Sequence, residues 1–368
     1  MSESSYDVAI IGGGPAGAAT AISLRQHAPA LSVLLIEASR YDTHRIGETL
    51  PPPTRSLLEH LHLWQDFGNL GAREVFATNA IWGAAKPVSN EFFLTPANTG
   101  WHVERAAFDA MLADATQRRG VELRRGSAVR TLQWSGVDWK LSLADGATVG
   151  ARFIVDATGG SAVFARRLGA RITTMDRLIG ITKFFQSSSR EPGVLVEAFE
   201  HGWWYTAGLP NGKRITACIT DADLARQMRL GESEEWLRRL AATTHVRTFT
   251  AGSHPSSPLL IRSTATQLLK PLVSQRWLAV GDAAARFDPL SSQGILKALR
   301  SGIFASYAIG DWLSRADDAS LRRYDRFVNE EFKSYCDVRA KYYREEQRWP
   351  ESEFWARRHQ PLLESAAA

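Results

Sequence analysis

A run of small residues near the N-terminus has a spacing that carries a specific chemistry. Gly12, Gly14 and Gly17 form a G-x-G-x-x-G pattern, with Pro15 and Ala16 between the last two glycines. The first glycine permits a tight turn, the second lets the backbone approach a pyrophosphate, and the third lets a helix pack closely on a strand. The N–H groups of the following helix then face the phosphates with the positive end of its dipole. The pattern therefore predicts the binding of a dinucleotide.

The elements that must position this loop are also predicted by the sequence. Residues 6–11 form a short apolar run typical of a buried parallel strand, and residues 18–26 favour a helix. A second strand over residues 31–36 leads to Glu37, which lies twenty residues after Gly17. A carboxylate at this distance is placed to accept hydrogen bonds from ribose hydroxyls, which favours an unphosphorylated ribose.

Length and composition limit the kind of protein that carries this unit. The chain has 368 residues, 44 Lys and Arg against 39 Asp and Glu, and 44% hydrophobic residues. These values predict two or three structural units and argue against a disordered chain. The net charge of +5 is small and scattered, so no nucleic-acid partner is expected. Cys218 and Cys336 fit neither a disulfide framework nor a metal site, which favours a reducing compartment.

The uncharged run over residues 8–24 has the wrong surroundings for a targeting segment. The residues before it are acidic rather than basic, and three glycines and Pro15 interrupt it. It is also too short to span a membrane. We therefore expect a cytoplasmic protein without membrane association.

Two distant segments indicate which dinucleotide is bound. Residues 151–160 read ARFIVDATGG, and residues 277–299 read WLAVGDAAARFDPLSSQGILKAL. Together with the glycine loop, this set resembles the glutathione-reductase-type FAD fold of flavin monooxygenases, and the resemblance implies FAD as the cofactor. It implies that Asp282 binds the ribityl or pyrophosphate region and that helix N–H groups meet the flavin pyrimidine edge. The cofactor-binding residues that it implies in these segments are Thr158, Gly159, Asp282, Pro289, Gln293, Gly294 and Ile295.

Further matches extend the resemblance over most of residues 5–310. Arg105 stands in an R-x-x-F-D-x-x-L element, where the family has an Arg that approaches FAD. Val129 stands where family members bracket the adenine with a backbone contact. Residues 45–53, RIGETLPPP, resemble the loop beside the isoalloxazine, which adds Arg45 and Thr49 to the expected cofactor contacts. Three prolines stiffen that loop.

The same segments resemble the branch that contains flavin-dependent halogenases and related hydroxylases. Halogenases carry a W-x-W-x-I-P stretch and a lysine that takes up hypohalous acid. Residues 202–210, GWWYTAGLP, keep only the first Trp, and Lys86 follows the aromatic strand instead of preceding it, so a halogenase is disfavoured. DPLSSQGI and residues 342–359 resemble more closely the monooxygenase-like maturases of tryptophan-derived quinone cofactors, in quinohemoprotein amine dehydrogenases and in lysine or glycine oxidases. Such maturases act on a Trp within a partner polypeptide.

The order of these segments predicts an α/β protein with three parts. A Rossmann-like FAD-binding domain is interrupted by an inserted antiparallel β-sheet domain that supplies the substrate pocket, and a helical appendage follows. The predicted FAD-binding domain comprises residues 1–75, 101–170 and 264–315, the sheet domain residues 76–100 and 171–263, and the helical region residues 316–368. The aromatic and Arg residues of the helical region either dock it on the FAD domain or form a partner interface.

Trp203, Trp204 and Tyr205 are candidates for the substrate pocket. Successive side chains of a strand point to opposite faces, so one of the two tryptophans is expected in the core and the other in the pocket. The alternative that both are packing residues stays open.

The resemblance implies that reduced FAD and oxygen form a C4a-hydroperoxyflavin, which hydroxylates an electron-rich aromatic ring. The expected ring is a Trp side chain of a partner polypeptide, during maturation of a quinone cofactor. A base that takes the indole or phenol proton would make the ring more nucleophilic. Glu48, beside the flavin, and His102, near Arg105, are the preferred catalytic candidates, ahead of His44 and His201. Since a second G-x-G-x-x-G pattern is not found, electrons are expected from transiently bound NAD(P)H or from a separate flavin reductase.

Other functions are compatible with the same residues. The fold could act on a free or carrier-bound small aromatic, as a monooxygenase or a halogenase-like enzyme, or it could reduce an isoprenoid double bond. A flavin-binding assembly chaperone would retain FAD without turnover. Oxygen consumption that depends on a partner protein separates the enzyme from the chaperone. The sequence does not predict the oligomeric state.

Overall fold

The computed structural model describes residues 4–92, 99–187, 193–274 and 276–360, and the parts of the predicted domains that fall elsewhere lie outside the described residues. The strands are β1 (Ser4–Ile11), β2 (Val33–Glu37), β3 (Thr49–Leu50), β4 (Arg73–Val75), β5 (Ala77–Ile81), β6 (Val88–Glu91), β7 (Gly100–His102), β8 (Glu122–Arg125), β9 (Val129–Trp134), β10 (Trp139–Leu143), β11 (Thr148–Asp156), β12 (Arg171–Thr174), β13 (Leu178–Gln186), β14 (Val194–Phe199), β15 (Gly202–Gly208), β16 (Lys213–Asp221), β17 (His254–Pro255), β18 (Leu260–Ser263), β19 (Gln267–Lys270), β20 (Val273–Ser274), β21 (Trp277–Ala279) and β22 (Ala285–Arg286). The helices are α1 (Pro15–His27), α2 (Thr54–His60), α3 (Trp64–Gly68), α4 (Arg105–Arg118), α5 (Val163–Arg167), α6 (Ala222–Gln227), α7 (Ser233–Ala241), α8 (Val246–Thr250), α9 (Gly294–Arg315), α10 (Asp318–Glu345) and α11 (Glu353–His359).

A largely parallel sheet carries the glycine loop. Its central order is β20–β21–β11–β1–β2–β8, and β10 and β9 extend it from β11. The pairs that join β1, β2, β8, β11 and β21 are parallel. All of β2 is buried, as expected for a parallel strand that is covered on both faces. The predicted Rossmann-like architecture is thus confirmed.

Helices α1 and α9 pack closely through small residues. A Cβ atom at Gly302 of α9 would lie only 2.4 Å from the carbonyl oxygen of Ala16. The hydroxyl of Ser306 donates to that of Ser23 at 2.7 Å. This close approach places the start of α1, just after the glycine loop, against the first half of α9.

A second large sheet has the order β17–β13–β16–β15–β14–β5–β6, with β18 also paired to β13. It is antiparallel, as predicted, except where β14 runs parallel to β5. The prediction of a fully antiparallel sheet is wrong for this pair of strands. Between β5 and β14 in the sequence, the chain forms β8 to β11 of the nucleotide-binding sheet, so no hairpin joins β5 to β14. Residues 171–174, expected in the second sheet, instead form β12 and pair with β19 in a small separate sheet.

The second sheet separates two environments. One face is covered by the short helices that follow β16, where Trp236 of α7 is completely buried. The indole of Trp236 packs edge-on against Trp204 of β15, with ring centroids 5.1 Å apart. The opposite face looks toward the nucleotide-binding sheet.

The C-terminal helices dock on both sheets. Tyr324 of α10 donates to the carbonyl oxygen of Ala279 in β21 at 2.8 Å, and the indole of Trp355 donates to the carbonyl oxygen of Phe199 in β14 at 3.0 Å. Tyr335 packs in the core of the nucleotide-binding part, as the docking prediction implies, whereas Tyr343, Phe354 and Trp355 pack in the core of the second sheet, where docking was not predicted. Within the described residues, no helix combines the length and the apolar character needed to cross a bilayer.

Candidate active site

A cavity of about 620 Å³ lies where the two large sheets face each other. Its walls come from the glycine loop, the loop before β3, the turn after β21, the start of α9 and one face of the second sheet. Of the residues predicted from the sequence, those that line it are Gly14, Pro15, Ala16, His44, Arg45, Glu48, Thr49, Arg105, Gly159, Trp203, Tyr205, Asp282, Pro289, Gly294 and Ile295. Segments from widely separated parts of the sequence therefore meet at one cavity.

The glycine loop is tight at Gly12 and open at Gly14. Gly12 has a φ of +113°, and a Cβ atom there would lie 2.2 Å from the carbonyl oxygen of Ala157. A Cβ atom at Gly17 would lie 2.0 Å from the carbonyl oxygen of Gly12. A Cβ atom at Gly14, in contrast, would meet no atom within 4 Å. Gly12 and Gly17 thus shape the turn, while Gly14 presents bare backbone to the cavity.

Glu37 stabilises the glycine loop through its carboxylate. Its carboxylate accepts a hydrogen bond from the N–H of Gly13 at 2.7 Å and pairs with Arg45 at 3.0 Å. Val129 lies nearby, because the N–H of Ser127 donates to the carbonyl oxygen of Glu37 at 3.1 Å. Glu37 therefore lies at the end of β2 and Val129 at the start of β9, and neither lines the cavity.

One buried carboxylate fixes the loop that precedes β3. Asp109 of α4 is completely buried and pairs with Arg45 at 2.6 Å and with Arg105 at 2.8 Å. Arg105 also donates to the carbonyl oxygen of Ile46 at 2.8 Å. Because charge-assisted hydrogen bonds hold both arginines, the loop meets the cavity in one defined position.

The turn after β21 contributes an acidic group with a buried counter-ion. Asp282 faces the cavity, and its carboxylate lies 2.6 Å from the ammonium of Lys297 on α9. Lys297 itself is 2% exposed. The preceding Gly281 has a φ of +60°, and its N–H donates to Ser301 at 2.9 Å. The turn and the first half of α9 thus form one rigid wall.

The aromatic residues of β15 divide between the two faces of the second sheet. Trp203 and Tyr205 line the cavity, and the hydroxyl of Tyr205 lies 2.8 Å from that of Thr49. Trp204 points to the opposite face and packs against Trp236. The assignment of Trp204 to this pocket is therefore wrong, because alternation along the strand turns its side chain away.

Glu48 has the environment of a group that exchanges protons. It is 3% exposed, lines the cavity, and its Oε1 atom has no hydrogen-bond partner among the described residues. Burial raises the pKa of its carboxyl to about 7, although the nearby Arg105 acts in the opposite direction. Near neutral pH this carboxyl can therefore both take up and release a proton.

The histidine candidates differ in position. His102 is completely buried and does not line the cavity, its Nδ1 lies 2.7 Å from the carbonyl oxygen of Gly208, and burial lowers its pKa to about 4. His44, considered a less favoured candidate, does line the cavity and stacks on Phe184 with centroids 4.8 Å apart. His201 is outside the lining. Within the described residues, His, Cys, Asp and Glu side chains form no cluster suited to a metal ion.

Two other predicted cofactor residues support the site from outside. The hydroxyl of Thr158 donates to Asp156 at 2.6 Å and accepts from the N–H of Val163 at 2.9 Å, so it stabilises the turn after β11. Gln293 immediately precedes α9, and its carbonyl oxygen accepts the N–H of Lys297 at 2.8 Å. Neither lines the cavity.

A hydrogen-bond network that the sequence did not predict connects the cavity to α10. The indole N–H of Trp203 donates to the hydroxyl of Tyr343 at 3.2 Å, and that hydroxyl donates to Asp288 at 2.7 Å. Asp288 also lines the cavity, pairs with the buried Arg339 at 3.1 Å and accepts the N–H of Leu290 at 2.9 Å. Tyr343 therefore couples the aromatic wall to the loop that leads into α9.

We expect Tyr343→Phe to lower the free energy of unfolding by about 1–3 kcal/mol, because it leaves the buried Asp288 and Trp203 each without one partner. The matched control is Tyr342→Phe, since Tyr342 is 49% exposed and its replacement should change the stability by less than about 0.5 kcal/mol. Urea unfolding followed by circular dichroism measures both values. Equal stabilities for the two variants would contradict the network.

The residues present fit an FAD molecule. Gly14 leaves room for a diphosphate at the start of α1, where helix N–H groups are available, and the start of α9 faces the same cavity. The buried, unpartnered Oε1 atom of Glu48, which also lines the cavity, is available to a polar group of a ligand or substrate. The fold and this site define an FAD-dependent oxidoreductase.

Comparison with known proteins identifies the family. The model of the FAD binding domain family matches residues 5–330, so the chain belongs to that family. LodB of Marinomonas mediterranea, which carries the name of an FAD-dependent oxidoreductase, is 32% identical over 364 residues, with 96% of this chain and 97% of LodB covered.

Two solved structures extend the comparison. The flavin-dependent halogenase CmlS superposes with a TM-score of 0.87 at 25% identity, covering 98% of this chain and 68% of CmlS. The peptidyl tryptophan dihydroxylase QhpG, described as essential for tryptophylquinone cofactor biogenesis, superposes with a TM-score of 0.75 at 25% identity, covering 97% of this chain and 79% of QhpG. The chain therefore has the fold of the halogenase-like flavin monooxygenases.

Proposed function

We propose that this FAD-dependent enzyme hydroxylates the indole ring of a Trp residue in a partner polypeptide, as a step in the maturation of a quinone cofactor. The observation that carries the proposal is a cavity whose lining combines an aromatic wall, Trp203 and Tyr205, with the segments suited to FAD and the buried Glu48. An aromatic wall of this kind favours a flat, electron-rich ring as the substrate.

Three residues of the cavity have separate roles in this reaction. Bound FAD supplies the activation of oxygen. Trp203 and Tyr205 pack against the substrate ring, and burial keeps the pKa of Tyr205 well above its ordinary value, so its hydroxyl stays protonated. Glu48 accepts the indole proton as the ring is attacked, which raises the nucleophilicity of the ring.

The relatives support a substrate that is carried by a larger molecule. QhpG is named as a peptidyl tryptophan dihydroxylase. A relative from Pseudoalteromonas luteoviolacea, 27% identical over 84% of this chain, is named as a brominase of pyrrole-2-carbonyl groups on a peptidyl carrier protein. The second name keeps a carrier-bound small aromatic as the alternative substrate.

The lysines of this chain favour hydroxylation over halogenation. Lys86 is exposed in the turn between β5 and β6. Lys183 lies on the sheet face away from the cavity and donates to Ser233 at 2.8 Å, and Lys297 is paired with Asp282. Each of these ammonium groups is therefore placed for a role other than the transfer of hypohalous acid.

The experiment combines the FAD-loaded protein, a reduced-flavin or NAD(P)H supply, isotopically labelled oxygen and a Trp-containing polypeptide. We expect tandem mass spectrometry to locate labelled oxygen on the Trp ring. Running the reaction with NAD(P)H alone and then with an added flavin reductase identifies the electron donor. Oxygen incorporation into a free or carrier-bound aromatic but into no polypeptide would establish the alternative substrate. Retained FAD with no oxygen uptake under any condition would establish the chaperone instead.

A further inference from the structure

The edge of the second sheet borders the cavity and is not paired with a further strand among the described residues. Strand β18 pairs with β13, and among the described residues no strand lies on its outer side. Leu260, Arg262 and Ser263 of β18 line the cavity, and Ile261 is 44% exposed. An open strand edge of this kind is a template for another extended chain.

The register shows which backbone groups point outward. The N–H of Thr264 donates to the carbonyl oxygen of Leu178 at 2.9 Å, and Arg262 lies opposite Gly180. Because hydrogen-bonded and non-hydrogen-bonded pairs alternate in an antiparallel ladder, the backbone groups of Arg262 face β13. Those of Ile261 and Ser263 therefore point away from the sheet.

Arginine side chains bind the two outward carbonyl oxygens. The carbonyl oxygen of Ile261 accepts from the guanidinium of Arg262 at 2.9 Å, and that of Ser263 accepts from Arg286 at 3.2 Å. Since a guanidinium has further N–H donors, each arginine keeps the capacity to bind an added acceptor. Side chains of this kind can also swing away and expose the carbonyl oxygens to the N–H groups of a neighbouring strand.

The same two arginines place guanidinium groups beside this edge. Neither Arg262 nor Arg286 is within ion-pair distance of a carboxylate among the described residues, although Asp282 and Asp176 lie close enough to Arg286 to act on its charge. An acidic group on an incoming chain would therefore meet the guanidinium of Arg262, which has no ion-pair partner there, and that of Arg286, whose charge is partly balanced.

We propose that β18 is the docking edge for the polypeptide substrate, which adds to it as an extended, acidic strand and presents its Trp to the cavity. Backbone hydrogen bonds to Ile261 and Ser263 provide affinity that is independent of sequence, and Arg262 and Arg286 select for acidic neighbours of the Trp. Alternate side chains of the added strand fall on the cavity face of the sheet, beside Leu260. This inference rests on the proposed function, since it assigns the site at which that substrate is held.

The test compares two substitutions at one position that lies outside the cavity lining. Ile261→Pro removes an outward N–H and no hydrogen bond within the sheet, because proline is tolerated on an edge strand whose N–H faces solvent. Ile261→Ala is the matched control, since it shortens the side chain and keeps the N–H. The probe is a fluorescein-labelled synthetic peptide with a central Trp, a Glu on either side and β-branched residues beyond them. A second peptide carries N-methyl groups on alternate backbone amides.

We expect the FAD-loaded wild type and Ile261→Ala to bind the unmodified peptide equally, and Ile261→Pro to bind it at least about tenfold more weakly. One of the two N-methylation patterns should weaken binding to the wild type, and the other should not, because only alternate amides face β18. Replacing Glu by Gln in the peptide should weaken binding as well. FAD content and unfolding midpoints confirm that the variants are folded.

The outcomes separate this inference from the proposed function. Equal peptide affinity in Ile261→Pro and Ile261→Ala, or no peptide binding to the wild type, overturns the docking edge. If the wild type and Ile261→Pro hydroxylate the peptide Trp with the same KM, the docking edge is wrong and the proposed function stands. If binding depends on the edge but no oxygen enters the Trp, the docking edge stands and the proposed hydroxylation is wrong.

Discussion

Gly14→Val is expected to weaken FAD binding strongly while the apoprotein remains folded. In the apoprotein, a side chain at position 14 would cause no clash, since a Cβ atom there meets no atom within 4 Å and the backbone φ is −72°. The added isopropyl group would instead occupy the space that a diphosphate needs at the start of α1. We expect the FAD dissociation constant to rise by at least about 100-fold, or about 3 kcal/mol. Flavin fluorescence titration of the stripped protein measures it.

Gly12→Ala provides the contrast for this prediction. Gly12 has a positive φ, and its Cβ atom would lie 2.2 Å from the carbonyl oxygen of Ala157, so the loop itself must distort. Gly12→Ala should therefore lower both the FAD affinity and the stability of the apoprotein. Gly14→Val should lower only the FAD affinity, and its apoprotein should unfold at the same denaturant concentration as the wild type. Wild-type FAD affinity in Gly14→Val would show that the diphosphate lies elsewhere.

Glu48→Gln is expected to lower the rate of ring hydroxylation by about two to four orders of magnitude, the usual contribution of a positioned general base. Burial holds the pKa of Glu48 at about 7. The wild-type rate should therefore rise with pH through that value as the carboxyl ionises, and the variant should lose this rise. Glu104→Gln is the control, because Glu104 forms a partly exposed pair with Lys213 and should keep both the rate and the pH profile.

A stability measurement on the apoprotein tests the same ionisation independently of turnover. The folded protein raises the pKa of Glu48 from its ordinary 4.5 to about 7, so the folded state binds the proton more tightly than the unfolded state. The corresponding stability is complete below about pH 4.5 and is lost as the pH rises through about 7, a difference of about 3 kcal/mol. Glu48→Gln should remove this loss, so the variant should gain stability relative to the wild type above pH 7. An unchanged pH dependence would show that Glu48 ionises normally.

The nucleotide-binding part was predictable because its chemistry is local. The turn at Gly12 and the open backbone at Gly14 are each set by a few neighbouring residues, so their spacing alone carries the information. The turn at Asp282 and the start of α9 were predictable for the same reason, once the resemblance joined them to one domain. The structure brings both to the same cavity.

The substrate side was less predictable because it depends on contacts between distant elements. Alternation along β15 predicted that Trp203 and Trp204 face opposite ways, but both are buried, and only the position of α7 shows that Trp204 is the one that faces away from the cavity. His102 has a suggestive sequence position, yet pairing of β7 with β3 and β4 buries it. The contact of Asp288 with Tyr343 joins residues 55 positions apart through packing that no short motif encodes.

The position of α10 has a consequence for the life of the newly made chain. Trp203 is synthesised long before Tyr343, whose hydroxyl accepts its indole N–H. Asp288 is likewise synthesised before its two partners, Arg339 and Tyr343. Because domains fold progressively from the N-terminus during translation, the glycine loop and its sheet can form while this aromatic wall is still unsupported. The hydrogen bonds that support the aromatic wall therefore form only after α10 has been synthesised, later than the contacts within the glycine loop.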